Sequence, residues 1–154
     1  MPTILIVAGD RGRARIFALD RDTDEMRELS DLLNPVLRLH ERLLSGDRQG
    51  RGMNRFRSSR VALGKSSPHK RLSSMRFARQ VAESLNGFCS QYGHSSIYVL
   101  AEPEFVGLLR PQLAAQRLTA DLHIIPKNLT RSDAATIRSY LPEHPWRQPL
   151  GGGA

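Results

Sequence analysis

Residues 3–19 read T-I-L-I-V-A-G-D-R-G-R-A-R-I-F-A-L, and the fold turns on them. Residues 3–8 are a short, unbroken apolar run rich in β-branched side chains, as a central strand requires. Gly9, Asp10, Arg11 and Gly12 supply turn chemistry. Residues 14–19 form a second strand-like run, so the two are expected to pair as a hairpin. A polar turn follows at 20–24. Residues 26–33 fit a third strand or a short helix, and their periodicity does not decide between the two. Asn34-Pro35 ends that element, because the residue before a proline is pushed out of the helical region.

Beyond residue 68 the pattern changes period. Leu72, Met75, Ala78, Val81, Ala82, Leu85, Phe88, Cys89 and Tyr92 fall at three- and four-residue steps, which predicts a helix over 69–92 with that stripe inward. Pro68 before it and Gly93 after it are the usual start and stop signals. Residues 96–101 (S-I-Y-V-L-A) read as a buried strand. Residues 103–116 read as a helix with Phe105, Leu108, Leu109 and Leu113 inward. Residues 122–125 read as another strand, and 132–141 as a last helix with Ser132 as N-cap and Asp133 at its positive end. The order β-β-(β)-basic segment-α-β-α-β-α predicts a single α/β domain, a mixed sheet with packed helices, over residues 1–141. Residues 142–154, rich in Pro and Gly, are expected to form a loose tail.

Charge separates one stretch from the rest. Residues 38–79 hold twelve Lys or Arg and two acids, whereas the remaining residues hold eleven Lys or Arg and thirteen acids. The formal +8 therefore belongs to one segment, punctuated by Gly and Ser. Such a patch on an otherwise balanced domain is the electrostatic footprint of a polyanion binder. A solvated loop with no partner is the plainer alternative. The middle of the segment, about 45–68, has few apolar residues and is expected to be mobile without a ligand.

No run approaches the roughly 18 apolar residues of a membrane span. The first residues read as a strand, not a signal peptide. The single cysteine, Cys89, leaves no partner for an intramolecular disulfide and makes a cysteine-rich zinc site implausible. A cytoplasmic location is expected, with no metal and no cofactor.

Several signatures then line up: Arg13-Ala14-Arg15-Ile16-Phe17, the G-D-R-Q-G-R segment, R-F-A-R-Q-V-A-E-S-L, and V-L-A-E-P-E-F-V-G-L-L-R-P-Q-L followed by P-K-N-L-T. Together they resemble the bacterial host attachment protein family, described as required for attachment to host cells, over roughly residues 3–141. That family looks related to the catalytic middle domain of archaeal and eukaryotic peptide-chain release factors. The resemblance implies a release-factor-middle-domain sheet of ribonuclease-H-like topology and a basic loop facing tRNA or the ribosome. In release factors a Gly-Gly-Gln loop leads into a helix beginning R-F-A-R. Here Arg76-Phe77-Ala78-Arg79 takes that place, but the preceding residues 64–71 contain no glutamine.

RNA binding draws on Arg48, Arg51, Arg55, Arg57 and Arg60 for bidentate phosphate contacts. Lys65, Lys70, Arg71, Arg76 and Arg79 extend the same positive set. Phe56 either stacks on an unpaired base or anchors the loop. Peptidyl-tRNA hydrolysis would use Gln49 to orient a water, with Gly46, Gly50 and Gly52 allowing close backbone approach. The plainer reading of the same residues is a phosphate-binding loop. A metal-dependent nuclease would bring Asp10 and Glu102 together at strand ends. The five histidines, His40, His69, His94, His123 and His144, do not cluster. Ser73 and Ser74 have no readable base beside them. A surface adhesion protein for acidic polymers is the reading from a different class.

Overall fold

The computed structural model describes residues 3–37, 39, 43, 68–92, 96–118, 120–143 and 145. β1 (Thr3–Gly9) is buried along its whole length and lies at the centre of a five-stranded sheet. β2 (Arg13–Asp20) pairs antiparallel with β1, placing Ile6 opposite Phe17 and Leu5 opposite Ala18. The hairpin is closed by Asp10, whose Oδ1 accepts from the Gly12 and Arg13 amides at 2.7 and 2.9 Å. That side-chain turn is why an aspartate stands directly after the strand.

β3 (Met26–Leu33) is a strand and pairs antiparallel with β2, with a bulge at Ile16/Phe17. It forms one edge of the sheet. β4 (Ser96–Ala101) lies parallel to β1 on its other side, and β5 (Asp121–Ile125) lies parallel to β4. The order β3-β2-β1-β4-β5 is a mixed five-stranded sheet, antiparallel from β3 to β1 and parallel from β1 to β5.

Two helices cover one face. α1 (Pro68–Tyr92) and α2 (Pro103–Ala115) bring Phe77, Ala78, Val81, Ala82, Leu85, Phe105 and Leu109 onto Leu5, Val7, Ile16, Ile97 and Val99. Gly9 lets α2 come close. A Cβ there would stand 3.0 Å from the Phe105 ring, inside normal contact distance. The other face, with Ile4, Ile6, Phe17, Leu19, Tyr98 and Leu100, is covered by the chain after β5, including the short α3 (Ala134–Ser139). Pro145 is buried there, and its carbonyl accepts from the Tyr98 hydroxyl at 3.1 Å.

Two local expectations are corrected. Leu72 and Met75 do not face inward but are 45% and 42% exposed, and Ser73 and Ser74 take the buried positions instead. Both serines satisfy their hydroxyls: Ser74 donates to the Lys70 carbonyl one turn back at 2.9 Å, and Ser73 to the distant Asn34 Oδ1 at 3.0 Å. The last helix is shorter than 132–141. Its N-cap is Asp133, in extended conformation and accepting from the Thr136 amide at 2.8 Å, not Ser132. Hydrogen bonding from the Thr136 hydroxyl, and then from its amide, holds the Asp133 carboxyl below its usual pKa.

Candidate nucleic-acid interface

Residues 34–37 and the start of α1 stand on either side of the middle of the basic segment, and one buried asparagine joins the two points. Asn34, 3% exposed, donates its amide hydrogens to the Arg11 carbonyl at 3.0 Å and the Ser73 carbonyl at 3.4 Å. Its Oδ1 accepts from Ser73 Oγ and from the Val36 amide, and its own amide donates to the Gly12 carbonyl at 2.9 Å. The β1–β2 turn, the end of β3 and α1 are thus fixed to each other. An amide side chain suits this place because it offers donors and acceptors together.

A cleft of about 300 Å³ opens beside this junction. Pro35 and Val36 form one wall. His69, Leu72, Arg76 and Gln80 form the other, falling at three- and four-residue steps along α1. Asn34, Ser73 and Phe77 also line it, and all three are buried.

α1 carries its charge against the usual rule. Its first turn has no acid and its last turn has no base, while Lys70 and Arg71 stand near its N-terminus. Cations there oppose the helix dipole, so they do not serve helix stability. Arg71, Arg76 and Arg79 are exposed. Arg79 is held by Glu83 at 3.0 Å, one turn along, whereas Arg76 has no ion pair among the described residues. Of the residues expected to meet RNA, the structure brings Lys70, Arg71, Arg76 and Arg79 together on this helix. Arg48, Arg51, Arg55, Phe56, Arg57, Arg60 and Lys65 lie outside the described residues, as do Gln49, Gly46, Gly50 and Gly52.

The carboxyl ends of β1 and β4 form a second polar centre, where open α/β sheets commonly bind ligands. Asp10 and Glu102 do come to this edge, but each is engaged by the protein itself. Asp10 Oδ2 accepts from Asn128 Nδ2 at 3.2 Å and lies 3.2 Å from Thr130 Oγ1, while its Oδ1 closes the hairpin. Glu102 Oε1 accepts from Arg11 Nε at 3.1 Å, and the same guanidinium reaches Glu104 at 3.0 Å. Among the described residues no three His, Cys, Asp or Glu side chains gather as metal ligands. His69 and His123 are far apart in role: the first lines the cleft, the second stacks on Tyr98 at 4.6 Å. Sequence reasoning missed the Asn34–Ser73 junction. The available signal was the Ser-Ser pair interrupting the apolar stripe of α1.

The fold and this charged helix define a class: a single α/β domain with a mixed five-stranded sheet and packed helices that presents a cationic helix beside a small cleft. Within that class, the chain belongs to the family described as "Protein required for attachment to host cells", whose model matches residues 5–141. No curated protein matches the chain. Among solved structures, the chain is similar to an Aquifex aeolicus Ppx/GppA phosphatase (the type II variant) at 6% identity and a TM-score of 0.46, with 80% of this chain and 36% of that chain covered. The chain therefore spans about a third of that protein's length.

Proposed function

We propose that this member of the host attachment family is a cytoplasmic RNA-binding protein that works beside tRNA or the ribosome, on a scaffold akin to the release-factor middle domain. The observation that carries the reading is the charge distribution: residues 38–79 hold twelve of the chain's 23 Lys and Arg against two of its 15 acids. The described end of that segment supports it, since Lys70 and Arg71 lie near the N-terminus of α1, where helix electrostatics do not call for cations, and Arg76 is exposed further along it. Arginine suits phosphate because its planar donors meet two oxygens at once.

Co-sedimentation with ribosomes across a salt gradient tests the reading. Wild type is expected to sediment at low salt and release as salt rises. Replacing Arg48, Arg51, Arg55 and Arg57 with Glu is expected to abolish sedimentation while leaving the circular dichroism spectrum unchanged. Equal sedimentation of both proteins overturns the assignment of the segment. The family's description favours a second reading, an interaction with acidic polymers at a cell surface. Cell fractionation separates the two, because that reading requires the protein outside the cytoplasm. Among the described residues no helix is long and apolar enough to cross a membrane.

A further inference from the structure

We infer that the cleft between residues 34–36 and α1 holds one unpaired nucleobase, with Arg76 on the adjoining phosphate. The inference rests on the RNA-binding reading and assigns the cleft within it.

Size comes first. At about 300 Å³ the cleft is at the lower end of small-ligand sites and matches one base with part of its sugar. Its floor is already complete. Asn34 and Ser73 are buried and hydrogen-bonded to each other, and Phe77 is 3% exposed beside them, so the space does not depend on a ligand to form. Its walls are apolar where a flat ring would lie: Val36 is 52% exposed and Leu72 45%, and Pro35 stands beside Val36. Exposed aliphatic side chains facing each other across a gap leave apolar surface that a planar ring covers on both sides.

Polarity then narrows the ligand. His69 and Gln80 place ring nitrogens and an amide at the rim, where they meet the hydrogen-bonding edge of a base. Arg76 is the guanidinium on this wall that no acid engages among the described residues. Among the described residues no Asp or Glu lines the cleft, so the site favours a ligand carrying negative charge. Lys70 and Arg71 stand on the same helix as the cleft wall, so the positive charge of α1 lies close to its mouth. The polar groups converge on a space for one ring, which fits a single nucleotide better than the long groove an amphipathic helix needs.

The test is a binding titration with a short RNA duplex bearing one unpaired 2-aminopurine nucleotide at its 3′ end. A duplex with an abasic nucleotide at the same position is the control. Wild type is expected to bind the first roughly tenfold more tightly, the scale of one stacked base, and to change its fluorescence. Leu72→Ala and Gln80→Ala, both at solvent-facing positions of α1, are expected to remove that preference and leave abasic binding unchanged. Equal wild-type affinity for both duplexes overturns the cleft assignment and leaves RNA binding standing. Loss of both RNAs for wild type overturns both. A preference that survives in the two variants means the base is read elsewhere. Variants that bind both duplexes more tightly mean that the chain itself fills the cleft. An acidic helical peptide bound by wild type and lost in Leu72→Ala, without base preference, would give the cleft to a protein partner. Each of these last three results overturns the inference.

Discussion

The two faces of the sheet are held by different physics. Alternate residues of the same strands feed both, Leu5 and Val7 on one side and Ile4 and Ile6 on the other. One face meets α1 and α2, of 25 and 13 residues, whose apolar stripes interlock with it directly. The other meets mainly irregular chain and a helix of six residues, too short to stand alone. There the cover is fastened by arginines. Arg15 donates to the Thr130 and Ser132 carbonyls, pairs with Glu28, and lies 5.0 Å from the Phe17 ring centroid. Arg138 pairs with Asp24 and donates to the Pro142 and Glu143 carbonyls. Where repeated helical turns supply area, packing suffices. Where the backbone is irregular, its carbonyls need donors, and a guanidinium can serve several at once.

Truncation on the two faces should break this comparison most visibly. Leu85 and Ile137 are both fully buried, the first on α1 and the second on α3. Leu85→Ala is expected to cost about 2–5 kcal/mol in denaturant unfolding, as a cavity in a well-packed core does. Ile137→Ala should cost less, because the short cover can open locally without unfolding the sheet. Equal losses would mean that the two faces unfold as one unit.

Arg15→Met comes next. It keeps the stem over Phe17 but removes the donors to two carbonyls, at an expected cost of about 1–3 kcal/mol. Amide exchange should accelerate in residues 134–139 and stay unchanged in α1. Uniform acceleration would show that the arginine supports the whole sheet.

The smallest effect belongs to Cys89, buried on the helix-covered face. Burial pushes its thiol up to about 11, because the thiolate loses its water there. The unfolded thiol ionises near about 8.5. Its contribution to stability is therefore complete below that pH and is lost as pH rises from there through about 11. Iodoacetamide at mildly alkaline pH should alkylate Cys89 slowly in the native protein and rapidly in denaturant. Fast native alkylation would mean that the packed face opens readily.

Much of this was legible in the sequence, for reasons that individual residues make clear. The run at 3–8 needed no partner to be read, because only a strand buried on both faces tolerates such unbroken apolarity. Residues 26–33 stayed ambiguous because β3 is an edge strand, half-buried, with its pattern blurred by pairing through Arg13–Asp31 and Arg15–Glu28. Leu72 and Met75 misled because the first turns of α1 pack over Asn34 and not over the sheet, where small hydroxyls fit and long side chains turn outward. The positive set was visible at once. The cleft beside it was not, since it depends on Asn34 meeting Ser73 across 39 positions, a pairing no local pattern encodes.

That single hydrogen-bonded junction has a bearing on how such a protein can change over time. Asn34 and Ser73 clamp to each other two described points 39 positions apart in the chain. The entropy of closing a loop grows only with the logarithm of its length. Relatives are thus free to lengthen, shorten or recharge the stretch between these points while keeping one body, and new binding preferences can be tried there without renegotiating the fold.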